Sequence, residues 1–212
     1  MTLRISAALA LSMTSAATAQ APTRDPMRMD VAGVRLGMPI AQVRTAMATS
    51  GYRCDMSTAT EPTFDERVRK IVDERRGVVV AFGTRSAPAE ETCTGPSGEG
   101  LRIWFAQARS GSVVDSFDLY LDAKRIDKSA VKRQLAAKYG PPPFDVYGAG
   151  TWCSGAKPCG SVKLHDVATF KIDTAYDVRI RANRGYDVNN AEEAEVIAAA
   201  DRIQPKKSGA AL

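Results

Sequence analysis

The chain has 212 residues, with 29 lysines and arginines against 24 aspartates and glutamates and a formal net charge of +5. Its basic residues alternate with acidic ones, as in Asp65-Glu66-Arg67, which is typical of a solvated surface. Nucleic-acid binders usually carry a stripe of one sign, so we expect no nucleic-acid partner. The length allows one large domain or two small lobes with a buried core.

Residues 1–19 are typical of a secretory signal peptide. Arg4 gives a positive start, an apolar stretch follows at 5–13, and an A-x-A cleavage site at 17–19 precedes Gln20. This stretch is shorter than the roughly 20 residues that span a bilayer, so we expect no membrane span. No cysteine stands directly after the signal, so we expect no lipid anchor. The sequence thus predicts a periplasmic or secreted protein.

Four cysteines in an exported chain predict disulfide bonds. Three pairings are possible, and we favour Cys54–Cys93 and Cys153–Cys159 because each pair lies within one half of the chain. A zinc site would need C-x-x-C pairs or several histidines, and the chain has only His165. We expect no metal and no other cofactor.

The first half predicts two helices after a flexible lead-in at 20–29. The first helix begins at Pro39 and ends before Gly51, with an apolar face formed by Ile40, Val43 and Met47. The second helix spans 63–75. An apolar run predicts a strand at 78–82, and the composition of 87–100 predicts a loop.

A hairpin follows in which apolar and polar residues alternate. We expect its apolar residues to share the face that packs under the helices: Leu101, Ile103, Phe105, Phe117, Leu119 and Leu121. By the same period, Arg102, Trp104, Asp118 and Tyr120 point to the opposite face.

The second half predicts a helix capped by Asp127 and ended by Gly140. Strands are expected at 151–153, 162–172 and 176–182, then a helix at 190–203 and a disordered tail at 205–212. The predicted fold is α+β, an antiparallel sheet or sheets with helices on one face. We expect two lobes, at 30–122 and 123–204.

The sequence carries no recognised catalytic motif. Two S-x-x-K matches, Ser129 to Lys132 and Ser154 to Lys157, lack the partner motifs that serine acyl enzymes use. His165 has no second histidine or free cysteine as a partner, and we expect it to be a surface residue. The sequence therefore predicts a protein that is not an enzyme and has no catalytic residues.

The segment 31–43, with Gly37-Met38, Gln42 and Val43, resembles the start of the SmpA/OmlA outer-membrane assembly lipoproteins and of the secreted β-lactamase inhibitor proteins. Their shared unit has two short helices on an antiparallel sheet, and the inhibitor contains two such units. The resemblance thus implies two tandem lobes of this kind, contact with another protein and no catalysis. The lipidated cysteine of the assembly lipoproteins is missing here.

We therefore predict a non-catalytic module that binds another envelope or extracellular protein. If the later strand joins the hairpin sheet, the binding face would comprise Arg102, Trp104, Asp118, Tyr120, Arg179 and Arg181. The alternative is a protein that binds a small ligand or a cell-wall fragment in a cleft between the lobes. A third interpretation places Trp104 in the core, beneath a loop or the other lobe.

Overall fold

The computed structural model describes residues 24–80, 85–122, 124, 126–146, 149–155, 157–175 and 177–205. Within these ranges the helices are α1 Ile40–Thr49, α2 Phe64–Arg75, α3 Lys128–Tyr139 and α4 Tyr186–Ile203. The strands are β1 Asp30–Val31, β2 Val34–Arg35, β3 Arg53–Met56, β4 Thr60–Glu61, β5 Ala87–Pro88, β6 Glu90–Thr94, β7 Gly100–Ala108, β8 Gly111–Leu121, β9 Phe144–Val146, β10 Ala149–Cys153, β11 Thr169–Asp173 and β12 Val178–Asn183. The α+β class is confirmed.

Eight strands form one antiparallel sheet in the order β3-β6-β7-β8-β12-β11-β10-β9. Each half of the chain contributes four successive strands of this sheet, and the halves meet where β8 pairs with β12. Residues 30–122 and 123–204 therefore share one sheet. Their division into separate lobes is not confirmed.

Helices α2 and α3 start where the sequence provides a side-chain cap. Thr63 and Glu66 form a reciprocal capping box at α2, and Asp127 accepts a hydrogen bond from the backbone of Ser129 at α3. The fourth helix begins at Tyr186, four residues before the predicted Asn190, because Gly185 adopts a positive φ that starts the turn.

The main core lies between one face of the sheet and helices α1 and α3. Val43 and Met47 of α1 and Leu135 and Tyr139 of α3 belong to the same apolar cluster as the sheet residues. From the hairpin this cluster contains Leu101, Ile103, Phe105, Phe117 and Leu119, with the partly buried Leu121 packed against it. The predicted inward face of the hairpin is confirmed.

Helices α2 and α4 form a second, smaller hydrophobic cluster. It comprises Phe64, Val68, Val72, Val196 and Ala200. Two ion pairs also join the helices, Arg67 with Glu193 and Arg75 with Asp201, the latter at 2.7 Å between Nη2 and Oδ1. No helix in the described part of the chain is long and apolar enough to cross a membrane.

Two predictions for the first half are wrong. The predicted loop at 87–100 contains β5 and β6. Strand β5 pairs with β4, and β6 pairs with β3 on one side and with β7 on the other. Residues 78–80 of the predicted strand form no strand, and Val79 is 91 % exposed because no element in the described ranges covers it. Residues 81 and 82 lie outside the described ranges.

The predicted flexible lead-in is also partly wrong. Residues 20–23 are outside the described ranges, but Pro26–Arg28 forms a 3-10 turn capped by Asp25. Met29 is fully buried in the main core, which fixes the segment in place. The tail at 206–212 and the signal at 1–19 lie outside the described ranges.

Both favoured disulfides are present. Cys54 and Cys93 face each other across β3 and β6, with their Cα atoms 3.9 Å apart. Cys153 and Cys159 close a short loop after β10. The first bond spans 39 residues of sequence and the second spans 6.

We expect the two bonds to contribute unequally to stability. Removing the long crosslink by Cys54→Ala with Cys93→Ala should lower the free energy of unfolding by about 4 kcal/mol, and removing the short one by about 2 kcal/mol, because the longer loop gains more entropy in the unfolded chain. Urea unfolding of the two double variants measures this. The prediction would be contradicted if the variant without the Cys153–Cys159 bond were less stable than the variant without the Cys54–Cys93 bond.

Candidate functional site

The six residues predicted for a binding face lie on one surface of the eight-stranded sheet, opposite α1 and α3. Arg102 on β7 faces Asp118 on β8, which faces Arg181 on β12. In the next row, Tyr120 on β8 faces Arg179 on β12. Trp104 faces Ser116. We call this surface, defined by Arg102, Trp104, Asp118, Tyr120, Arg179 and Arg181, the open face.

Tyr120 is the exposed aromatic residue of the open face. It lies on a central strand, yet it is 45 % exposed. The nearby carboxylate of Asp177 raises the pKa of its phenol above the ordinary value. The residue opposite Tyr120 on β7 is Gly100, and a Cβ added there would meet no other atom within 4 Å. The surface beside the Tyr120 ring is therefore open at this position.

Three arginines of the open face form diagonal ion pairs with acids on adjacent strands. Glu90 accepts hydrogen bonds from Arg102 Nε at 3.2 Å and Nη2 at 2.8 Å. Asp118 accepts from Arg179, and this bond raises the pKa of the guanidinium. Arg181 lies 3.9 Å from Asp173. These contacts restrict the side chains to defined positions on the sheet.

Trp104 lies at the end of the open face and is partly buried. The guanidinium carbon of Arg102 is 5.0 Å from its ring centroid, a distance typical of a cation–π contact. The ring also lines a cleft of about 540 Å³ between β7 and the start of α4, which includes Asn189 and Glu192. Trp104 is therefore absent from the main core, and only part of its ring is available to a partner.

A buried polar cluster beside this cleft was missed at the level of sequence. Asp115 lies at a bulge between β7 and β8, and burial raises the pKa of its carboxyl while Arg184 opposes the shift. Arg184 is almost fully buried and pairs with Glu192. Its Nε and Nη1 have no hydrogen-bond partner among the described residues. No periodic pattern signals such a cluster, because it depends on the bulge.

An apolar groove of about 500 Å³ lies beside α3, between residues of 30–122 and residues of 123–204. Its walls include Val31, Leu121, Val131 and Ile180. At one end Lys138 Nζ lies 2.8 Å from Asp30 Oδ1. This groove therefore lies where residues of both halves of the chain meet.

The remaining candidates are not assembled into a site. His165 is exposed, with Nε2 3.1 Å from Asp166 Oδ1. Ser129 is exposed on α3, and Lys132 pairs with Asp145 at 3.6 Å. The Ser154 hydroxyl accepts a hydrogen bond from the backbone of Ala168. In the described ranges no three His, Cys, Asp or Glu residues lie close enough to hold a metal ion.

Comparison with known proteins gives no relative. No protein-family model matches the chain, and no curated protein or solved structure matches it significantly. The resemblance to the SmpA/OmlA and β-lactamase inhibitor proteins therefore stays an expectation from residues 31–43.

The two faces of β8 should respond differently to truncation. Phe117→Ala should cost about 3–5 kcal/mol of stability, because this ring is fully buried against Phe170 in the core. Tyr120→Ala, on the same strand, should cost less than about 1 kcal/mol, because its ring lies on the surface. Thermal and urea unfolding measure both. A large loss for Tyr120→Ala would show that the open face is covered.

Proposed function

We propose that the chain is an exported, non-catalytic protein-binding module, an envelope accessory or inhibitor-like protein that binds its partner through the open face. The observation that carries the proposal is the exposed Tyr120 in the middle of a broad sheet, beside Arg102 and Arg179. Large planar surfaces of this kind suit a protein partner better than a small molecule, which needs an enclosed pocket.

The residue types support the same proposal. Tyr, Trp and Arg are the side chains most enriched at binding hot spots, because they bury a large area at a small entropic cost. The ion pairs of the open face already restrict its arginines, so less conformational entropy is lost when a partner binds. The two disulfides support function in an oxidising, exported compartment, the periplasm or the medium.

Site-specific photo-crosslinking tests the proposal in the exported fraction of the native host. A photoreactive phenylalanine at Tyr120 should form a crosslinked adduct with a partner protein, whereas the same group at the exposed Thr45 of α1 should not. Gly100→Gln should abolish the adduct at position 120 without lowering the melting temperature, because a Cβ at position 100 meets no atom within 4 Å and the longer side chain covers the surface beside Tyr120.

Equal adducts at positions 120 and 45, or an adduct that persists in Gly100→Gln, would reject the open face as the binding surface. Mass spectrometry of the crosslinked species identifies the attached protein in each case.

The alternative function is the binding of a small ligand or cell-wall fragment, and the groove beside α3 favours it. Its volume falls within the range of small-molecule sites, about 300–1,000 Å³. Its walls are apolar with a few polar groups at the rim, which would suit a ligand with an alkyl portion.

A cavity-filling variant tests this alternative. If the groove binds ligands, dodecanoate should raise the melting temperature of the wild-type chain, and Val131→Trp should abolish that rise because the indole occupies the groove. An equal effect of dodecanoate on both proteins would place its binding elsewhere.

A further inference from the structure

The cleft between β7 and the start of α4 is lined by more acidic than basic side chains. Among the described residues, Arg67 is the one basic side chain in its walls. The walls also carry the carboxylates of Glu61, Asp115, Glu192 and Glu193. We call this space, defined by these five charged residues and Trp104, the acidic cleft.

The arginines in and beside the acidic cleft are each paired with a carboxylate. The pairs are Arg67 with Glu193, Arg184 with Glu192, and Arg102 with Glu90. Arg184 is almost fully buried and does not line the cleft, whereas Arg102 contacts the ring of Trp104. The positive charge of each guanidinium is therefore already balanced by a neighbouring acid.

The start of α4 adds little positive potential to the cleft. The backbone N–H groups of Tyr186, Asp187 and Asn189 donate to the carbonyl oxygens of His165, Asp166 and Gly185. These bonds satisfy donors of the first turn, to which the partial charge of a helix N-terminus is confined. The side chains therefore set the sign of the charge in the cleft.

Glu61 and Asp115 are the wall carboxylates that the arginines leave without an ion pair. Neither forms a salt bridge with another residue in the described ranges. Burial raises the pKa of Asp115, and the positive charge of Arg184 only partly opposes this effect. A partly buried carboxylate without a compensating cation costs free energy, and a cation bound beside it reduces that cost.

The hydrogen-bonding atoms of the wall also require a donor. Asp115 Oδ1 and Asn189 Oδ1 are buried and accept no hydrogen bond from a described residue. Both residues line the cleft, where Asp115 is placed by the bulge between β7 and β8. Lysine and arginine side chains carry N–H donors and no acceptor, so they match these two oxygens.

Trp104 connects the acidic cleft with the open face, because its ring belongs to both. The alkyl stem of a lysine or arginine packs on an aromatic ring while the charged end reaches nearby carboxylates. A protein bound to the open face thus has a direct route for such a side chain into the cleft.

We propose that the partner bound at the open face inserts a lysine or arginine side chain into the acidic cleft. This inference rests on the proposed function and specifies the residue that the partner presents beside Trp104. An acidic or apolar side chain in the same place would leave Glu61 and Asp115 without a cation and the two wall oxygens without a donor.

Titration of the full exported chain with N-acetyl-L-argininamide, followed by tryptophan fluorescence, tests the inference. The chain has two tryptophans, and Trp152 is fully buried in the core, so a ligand in the cleft should change the emission of Trp104. We expect saturable binding with a Kd of about 1–10 mM, and loss of the signal in Trp104→Phe. The uncharged analogue N-acetyl-L-citrullinamide should bind at least about fivefold more weakly.

Matched variants locate the contact. Glu61→Gln and Asp115→Asn should each raise the Kd of N-acetyl-L-argininamide at least about threefold, because each removes a carboxylate that has no cation. Glu195→Gln should leave it unchanged, since Glu195 is exposed on α4 but does not line the cleft. Glu61 is also exposed, so Glu61→Gln keeps the test decisive if Asp115→Asn fails to fold.

A second measurement connects the cleft with the partner. Glu61→Gln should lower the yield of the photo-crosslinked adduct at position 120 at least about twofold, whereas Glu195→Gln should not. An adduct whose yield is unchanged in Glu61→Gln would overturn the inference and leave the open face as the binding surface.

The outcomes separate the two proposals. If N-acetyl-L-argininamide does not bind, or binds equally to the wild-type chain and to Glu61→Gln, the inference fails while the crosslink at position 120 still supports the proposed function. If no adduct forms at position 120, the proposed function fails and the inference fails with it.

Discussion

The antiparallel pairing of β8 with β12 is the interaction on which the rest of the structure depends. It runs from Val178 opposite Leu121 to Asn183 opposite Ser116 and is the place where the two halves of the chain become one sheet. Strands β8 and β12 are antiparallel, and each is the last strand of its half in the chain. The two halves therefore meet through their last strands. Helices α1 and α3 therefore lie on the same side and share one core, and the residues of the open face lie on the other side.

The two sides of this sheet use the same backbone for different purposes. Inward residues such as Phe117 and Phe170 stabilise the fold by removing apolar area from water. Outward residues such as Arg102 and Arg179 are held by carboxylates on the neighbouring strand. Ion pairs at this level of exposure add little to stability, so their main physical effect is to set the position of the guanidinium groups. The surface is thus ordered without being buried.

The sequence predicts those parts of the fold in which burial follows a regular period. Such a period predicts the hairpin of β7 and β8 and the grouping of the six open-face residues. The side-chain caps predict the starts of α2 and α3. Strand β6 was missed because its inward positions are Glu91 and Cys93 rather than two aliphatic residues. Glu91 can be buried because Nη2 of Arg44 on α1 lies 2.7 Å from its Oε1. Cys93 is buried at its disulfide bond with Cys54. Both compensations are long-range contacts that no local pattern contains.

The shortness of the outer strands has a consequence for how the protein can associate. Strand β3 has four residues and β9 has three, so the sheet offers few free backbone groups along either edge. The disulfide between β3 and β6 further prevents the first edge from peeling away, and the prolines at 141–143 precede the second. Growth of the sheet by addition of a strand from another chain is therefore disfavoured at both margins, which guards the protein against edge-to-edge aggregation.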